Sequence, residues 1–123
     1  MEINNPPTLA ELTIQFGRYQ QAIIDNDVAV LNELFWNNTL TIRYGAGENL
    51  YGHDAIAAYR GARDPKSMVR TVGKSVITSY GRDAATTNIE FARAGRKGRQ
   101  SQAWIRMPEG WRIVAAHVSY MDE

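Results

Sequence analysis

The chain has 123 residues, a formal net charge of +1 and 44% apolar residues, enough for the core of one domain. Near-neutral charge gives no global electrostatic argument for a nucleic-acid or membrane partner. The absence of Cys excludes disulfides and thiolate metal sites, and two His argue against a zinc site built from protein ligands alone. The sequence also shows no secretory signal and no spanning apolar run, so we expect one cytoplasmic domain over residues 1–123, with neither metal nor cofactor.

The first helix is predicted from apolar residues that recur at helical spacing through residues 9–24. Thr8 and Glu11 fit a capping box, in which Thr8 caps the free amides and Glu11 reaches back to the Thr8 amide. A long amphipathic helix is therefore expected from Thr8 to about Asp25.

A second helix, a strand and a third helix are predicted next. Asp27 is expected to cap the short second helix. Residues 39–44 alternate as a strand does, with Arg43 on the face opposite its apolar residues. A short extended piece over residues 48–52 leads into a third helix over residues 53–62.

The second half of the chain is rich in strands joined by short turns. Four strands are predicted, over residues 68–80, 84–93, 100–107 and 111–120. Strands joined so tightly must pair antiparallel. Helices followed by a meander indicate an α+β domain, with the helices packed on one face of a curved antiparallel sheet. Such a sheet forms a cone, and the mouth of a cone is a place for a small ligand.

Tyr19 and Arg43 each allow two interpretations. Tyr19 lies on the apolar stripe of the first helix, so it is either a core aromatic residue or a phenol pointing into the cone. Arg43 is either a solvent-facing arginine of an exposed sheet face or a guanidinium that grips a carboxylate with two hydrogen bonds. The residues alone favour the first interpretation in both cases.

Three charged residues are further candidates for the site. Glu48 can be a partner of Arg43, a general base or a loop charge in water. Arg60 and Arg63 are three residues apart on the third helix. They can form an anion-binding rim, although arginines near a helix end are equally expected from the helix dipole.

The last predicted hairpin supplies three more candidates, Trp104, His117 and Ser119. Simple alternation places Trp111, His117 and Ser119 on one largely apolar face. On such a face a histidine is more often a hydrogen-bonded core residue than a base. The basic run over residues 93–99 contains no aromatic residue, so a charged hairpin tip explains it better than a nucleic-acid contact does.

Several stretches of the sequence resemble one family along nearly the whole chain. They include Asn26-Asp27-Val28, Leu34-Phe35-Trp36, the block Ile42-Arg43-Tyr44-Gly45-Ala46-Gly47-Glu48-Asn49-Leu50-Tyr51-Gly52, the block Gly98-Arg99-Gln100-Ser101-Gln102 and the run from Gly110 to Ser119. Their order and spacing are similar to those of the AtzH-like family (formerly DUF3225), which includes the oxalurate-catabolism protein HpxZ.

The resemblance implies a cystatin-like, NTF2-like cone that forms a homodimer through its open sheet face. It also implies a small anionic ureido substrate. AtzH-like proteins decarboxylate or hydrolyse 1,3-dicarboxyurea, an intermediate of cyanuric acid and s-triazine breakdown, toward allophanate. The catalytic Tyr and Arg proposed for the family fall on Tyr19 and Arg43. The alternative that the resemblance leaves open is a non-catalytic, metabolite-binding or accessory protein of oxalurate catabolism.

Overall fold

The structure is a computed structural model that describes residues 1–121, apart from the side chains of Ser67 and Met68. Its elements, in chain order, are α1 (Pro6–Asp25), α2 (Val28–Leu34), β1 (Ile42–Tyr44), β2 (Asn49–Tyr51), α3 (His53–Ala62), a short 3-10 helix (Pro65–Met68), β3 (Thr71–Tyr80), β4 (Ala84–Arg93), β5 (Arg96–Met107) and β6 (Gly110–Tyr120). In this part of the chain, no helix is long and apolar enough to cross a membrane.

The six strands form one sheet in the order β2-β1-β6-β5-β4-β3. Strands β3 to β6 pair antiparallel with their sequence neighbours, which confirms the predicted meander. Strand β1 lies beside β6 and pairs with it in parallel, with Arg43 opposite Ala116. The sheet is therefore mixed rather than wholly antiparallel, and the α+β class is confirmed.

Helix α1 begins two residues before Thr8, so the predicted capping box is wrong. Asn5 is the N-cap, and its side-chain oxygen accepts a hydrogen bond from the Thr8 amide at 3.2 Å. The two prolines after Asn5 occupy the first helical positions, where their fixed φ suits a helix and their missing N–H costs nothing. Glu11 instead accepts a hydrogen bond from the indole of Trp111 at 3.1 Å.

Helices α2 and α3 match the predictions. Asp27 caps α2 by accepting a hydrogen bond from the Val30 amide at 3.2 Å. Helix α3 runs over the predicted residues 53–62, and its inward residue Ile56 is 1% exposed. Both helices therefore follow from local capping and apolar spacing.

Three strand boundaries differ from the predictions. Strand β1 covers only the last three of the six predicted residues. Strand β3 begins at Thr71 because the chain before it forms the 3-10 helix. Strand β5 begins earlier than predicted, at Arg96, because Ala94 and Gly95 alone make the turn, with φ of 51° and 78°.

A bulge in β6 reverses the alternation predicted for this strand. Trp104 pairs with Ile113 and the preceding Ala103 pairs with Ala115, so Val114 is an extra residue. Ile113 is fully buried before the bulge, while Ala116 is the buried residue after it. His117 and Ser119 therefore do not share a face with Trp111, and that prediction is wrong.

The helices cover one face of the sheet, here called the inner face. The core between them contains, from the helices, Leu12, Phe16, Tyr19, Ala22, Ile23, Leu31, Leu34 and Ile56, together with Phe35 after α2 and, from the sheet, Ala85, Ile89, Phe91, Trp104, Trp111, Ile113 and Ala116. This arrangement places α1 and α3 above the inward side chains of β1, β4 and β5.

Candidate functional site

Tyr19 lies on the inner face, where α1 packs over the sheet. Its side chain is 5% exposed, and its hydroxyl donates a hydrogen bond to the side-chain oxygen of Gln100 on β5 at 3.4 Å. The same oxygen accepts a second hydrogen bond from Nη1 of Arg70 at 3.0 Å. The buried phenol therefore shares its acceptor with a guanidinium group.

Arg43 lies on β1 and is paired with Glu48. Its Nη1 is 2.7 Å from Oε1 of Glu48, and the two side chains are 11% and 22% exposed. Gly45 makes room for this pair, because a Cβ atom there would collide with the Glu48 carboxylate and lie 2.9 Å from Arg43 Nη1. The Arg43 guanidinium also lies over the Tyr59 ring of α3, 5.3 Å from its centroid. Arg43 is therefore a largely buried residue rather than a solvent-facing one.

Arg60 is the most deeply buried of the arginines near Tyr19. It is 3% exposed, its Nη1 donates to the side-chain oxygen of Asn32 at 2.9 Å, and its guanidinium lies over the Phe35 ring. Tyr19 packs on the same Phe35 ring, with a centroid distance of 6.4 Å. The Phe35 ring therefore contacts both the Tyr19 ring and Arg60 in the last turn of α3.

Arg63 follows α3, and its guanidinium group also lies over the Tyr59 ring, 5.7 Å from the centroid. Its Nε and Nη2 are buried and donate to no acceptor that the described residues supply. Buried N–H groups nearly always have a hydrogen-bond partner in folded proteins. Two buried N–H groups of one guanidinium group are therefore donors that a ligand can use.

Arg70 and Arg93 lie over the ring of Phe91 on β4. Their guanidinium carbons are 5.1 and 5.4 Å from its centroid. Arg93 donates to the Tyr120 hydroxyl at 3.0 Å, while its Nε is buried and unpaired among the described side chains. Gly98 on β5 leaves the space that the Phe91 ring occupies, since a Cβ there would overlap it.

We call Arg43, Arg60, Arg63, Arg70 and Arg93 the arginine cluster. Among the described side chains, Glu48 is the carboxylate that forms an ion pair with it. Burial lowers the pKa of Arg60 to about 10, and the positive charges of Arg63 and Arg43 contribute in the same direction. Such a concentration of positive charge favours binding of an anion.

The pKa values of two more arginines of the cluster are lowered for the same reason. Burial lowers the pKa of Arg63, and the charges of Arg43 and Arg93 add to the effect. Burial also lowers the pKa of Arg70, again with a contribution from Arg93. A negative charge on Tyr19 acts in the opposite direction on both, so the phenol lies within electrostatic reach of the cluster.

The structure thus brings four of the predicted site residues to the inner face: Tyr19, Arg43, Glu48 and Arg60. Arg60 connects the first two, because its guanidinium interacts electrostatically with both Tyr19 and Arg43. Neither Tyr19 nor Arg43 lies on the outer surface. An outward position of either side chain would have ruled out their joint action.

The other three predicted site residues do not join this group. Trp104 is fully buried and its indole donates to Thr87 at 3.0 Å, so it packs in the core and its N–H is already used. His117 is exposed on the outer face of the sheet, where it contacts the Tyr44 ring. Ser119 lies on that face too and accepts a hydrogen bond from Arg99 at 3.2 Å.

Sequence reasoning missed Arg70, Arg93 and Gln100 as members of the site. A usable signal existed for two of them. Alternation from Phe91 places Arg93 on the buried face, and alternation from Trp104 places Gln100 there. Arg70 precedes β3, so no local pattern specifies its direction.

Comparison with known proteins gives the family. The AtzH-like family model matches residues 1–123. The crystal structure of a DUF3225 protein of unknown function from Pectobacterium atrosepticum is 53% identical, covering 98% of this chain and 95% of that one, with a TM-score of 0.94. A cystatin-like fold protein from Burkholderia xenovorans is 39% identical, covering 100% and 98%, also with a TM-score of 0.94.

More distant similarity shows the wider fold. An NTF2-like superfamily protein from Salmonella enterica is 26% identical, covering 95% of this chain and 93% of that one, with a TM-score of 0.77. A comparison with curated proteins found no match. The resemblance seen in the sequence and the cystatin-like, NTF2-like fold expected from it are confirmed, and the chain belongs to the AtzH-like family.

Proposed function

We propose that this protein is a cofactor-free enzyme that removes one carboxyl group from 1,3-dicarboxyurea to leave allophanate. The observation that carries the proposal is a buried phenol, Tyr19, within electrostatic reach of Arg60, Arg63 and Arg70. These three belong to the arginine cluster, which has a single ion-paired carboxylate among the described side chains. The AtzH-like resemblance supplies the substrate, a urea with a carboxylate at each end. A dianion of this kind matches the positive charge of the cluster.

Binding of the substrate is assigned first to Arg43. Its pair with Glu48 engages Nη1, and a guanidinium group has five N–H donors in a planar fork. The Nε and Nη2 edge of Arg43 can hold one carboxylate with two parallel hydrogen bonds. Glu48 fixes the orientation of the guanidinium group for this contact.

Tyr19 is assigned the proton transfer. The bond between one urea nitrogen and its carboxyl carbon breaks, the electron pair stays on nitrogen, and CO₂ leaves. Tyr19 gives its proton to that nitrogen and regains one from water, so the dianion and one proton yield allophanate and CO₂. If water first attacks the same carboxyl carbon, the bond breaks with bicarbonate as the second product.

The arginines also stabilise the charge that this step creates. The negative charge passes from the urea nitrogen to the phenol oxygen during the transfer. Attraction between a Tyr19 phenolate and each of Arg60, Arg63 and Arg70 offsets part of the effect of burial on their pKa values. Fixed positive charges in a buried site stabilise a developing anion without reorganising.

Turnover of freshly generated 1,3-dicarboxyurea tests the proposal, with ¹³C NMR following substrate, allophanate and CO₂. The purified protein is expected to exceed the spontaneous rate, and Tyr19→Phe and Arg43→Ala are each expected to lose at least 100-fold in kcat/KM. Tyr80→Phe, which alters an exposed tyrosine, is the matched control. Saturable binding of oxalurate without turnover of either compound supports the accessory-protein alternative instead.

The proposal includes a homodimer formed through the outer face of the sheet. Ile42, Tyr44, Ala115 and His117 line a shallow, mainly apolar groove of about 350 Å³ on this face. Light scattering after size-exclusion chromatography is expected to give twice the 13.8 kDa chain mass. Tyr44→Glu, which places a charge in the groove, is expected to give the monomer mass.

A further inference from the structure

We propose that Arg63 is a second carboxylate clamp, which binds the end of the substrate that Arg43 does not hold. The inference rests on the proposed function for the identity of the ligand. It goes beyond that function in assigning a binding role to a residue outside the Tyr19 and Arg43 pair.

The first argument is the pattern of unpaired nitrogens on Arg63. Nε and Nη2 are the two nitrogens of one edge of the guanidinium plane, and both are buried without an acceptor among the described residues. This edge is the one that forms two parallel hydrogen bonds with the two oxygens of a carboxylate. A single bound carboxylate therefore satisfies both N–H groups at once.

The second argument is the contrast with the other arginines of the cluster. Arg43 is ion-paired with Glu48, and Arg60 donates to Asn32. Arg70 uses both terminal nitrogens, one for Gln100 at 3.0 Å and one for Gln20 at 2.7 Å. Arg60 and Arg93 each have one buried, unpaired nitrogen, Nε, whereas Arg63 has both nitrogens of its Nε and Nη2 edge buried and unpaired within residues 1–121.

The third argument is the position of Arg63 close to Arg43 and Tyr19. Arg43 and Arg63 both lie over the Tyr59 ring, at 5.3 and 5.7 Å from its centroid, so the two guanidinium groups contact the same ring. Tyr19 is also within electrostatic reach of Arg63. A short chain with a carboxylate at each end can thus contact both arginines while its centre lies near the phenol.

The test uses glutarate, an unreactive dicarboxylate with the same number of chain atoms as 1,3-dicarboxyurea. Calorimetry is expected to show saturable binding to the wild-type protein and much weaker binding of butyrate, which has one carboxylate. Arg63→Gln is expected to weaken glutarate binding about 100-fold, because charge and fork are both lost. Arg63→Lys is expected to weaken it about ten-fold, because the charge remains without the fork.

Arg18→Gln is the matched control. Arg18 is a half-exposed arginine that forms an ion pair with Glu33 on the helical surface, and its loss is expected to leave glutarate binding unchanged. Urea unfolding of each variant shows whether it is folded. If Arg63→Gln does not fold, Arg63→Lys decides the test.

Three results overturn the inference: no saturable glutarate binding by the wild type, wild-type affinity in Arg63→Gln, or wild-type affinity in Arg63→Lys. Turnover of 1,3-dicarboxyurea separates this inference from the proposed function. If Arg63→Gln loses glutarate binding and the wild type shows no turnover, the proposed reaction is rejected while the binding role of Arg63 is supported. If Arg63→Gln turns over 1,3-dicarboxyurea with an unchanged KM, the binding role of Arg63 is rejected while the proposed reaction is supported.

Discussion

The hydroxyl of Tyr19 donates to the side-chain oxygen of Gln100 across 3.4 Å, and this oxygen already accepts a shorter bond from Arg70. Gln100 is 3% exposed, so water does not compete for these contacts. A neutral amide at this place orients the phenol and a guanidinium group without cancelling positive charge. The site thus keeps its charge for a ligand while both donors stay satisfied.

Replacing Gln100 with Glu tests this interpretation. The new carboxylate would lie at the position 3.0 Å from Arg70 Nη1, would neutralise that charge and would repel an anionic ligand. We expect glutarate affinity to fall at least ten-fold, as measured by calorimetry. Gln15→Glu adds the same charge beside Arg18 on the outside of α1, and unchanged affinity is expected there. Equal effects of the two variants would contradict a local role for Gln100.

Gly45→Ala is expected to impair turnover while leaving the fold stable. The added Cβ collides with the Glu48 carboxylate, and Glu48 is a flexible, partly exposed side chain that can move away. Arg43 then loses the partner that orients it, so kcat/KM for 1,3-dicarboxyurea is expected to fall at least ten-fold. The stability cost is expected to be below about 1 kcal/mol in urea unfolding.

Gly47→Ala is the control for this substitution, because a Cβ on Gly47 meets no atom within 4 Å. It belongs to the same turn and makes the same chemical change. We expect wild-type turnover from it. A similar loss in both variants would mean that the turn backbone, rather than the room for Glu48, limits activity.

Gly98→Ala is expected to destabilise the fold by about 2 kcal/mol. Its Cβ would overlap the Phe91 ring, which is 3% exposed and cannot move without disturbing the core. Gly73→Ala in β3 is the matched strand control, because its nearest contact is an ordinary 3.5 Å to the Glu90 carbonyl. Urea unfolding should show a clearly lower free energy of unfolding for Gly98→Ala. For Gly73→Ala the free energy of unfolding should change by no more than about 0.5 kcal/mol.

The position of Gly98 also shows where the sequence misleads. Gly98 suggests a turn when it is considered with Gly95, yet it lies inside β5 and is required by a ring on the neighbouring strand. Gly95 does make the turn, with a positive φ. The composition of a segment cannot distinguish a glycine needed for its backbone from one needed for its missing side chain.

The helices could be predicted because their signals are local. Asp27 as a cap and Ile56 as an inward residue depend on neighbours within four positions. The parallel pairing of Arg43 with Ala116 depends on residues far apart in the chain, and no local pattern encodes it. The extra residue Val114 shifts the faces of β6 and moves His117 outward, which simple alternation cannot foresee.

The residues of the candidate site could likewise be predicted only in part. The family resemblance supplied Tyr19 and Arg43, and helix spacing supplied Arg60 with its neighbour Arg63. The concentration of positive charge is seen only when side chains from α3, β1 and β4 come together in the fold. Residues that look like separate surface charges in the sequence, such as Arg93, are then found partly buried together.

The burial of Arg60 predicts a conflict between stability and ligand binding. Arg60 is 3% exposed and is held by a neutral amide and an aromatic ring, with no ion pair to a described carboxylate. A buried charge without a counter-charge costs stability, and an apolar residue of similar size removes that cost. We expect Arg60→Met to be at least as stable as the wild type in urea and to bind glutarate at least ten-fold more weakly.

The pH dependence of that stability difference has a defined sign. Burial lowers the folded-state pKa of Arg60 to about 10, while in the unfolded chain the pKa of the same group keeps its ordinary, higher value. Below about pH 10 the charge is present in both states, so the cost is constant and the stability difference between Arg60→Met and wild type should not change between pH 6 and 9. Above about pH 10 the unfolded wild type binds more protons than the folded one, so the wild type gains stability relative to the variant. Arg18→Met, at a half-exposed position on the helical surface, should show neither the stabilisation nor this pH dependence. A clear loss of stability in Arg60→Met at neutral pH would show instead that Arg60 stabilises the fold.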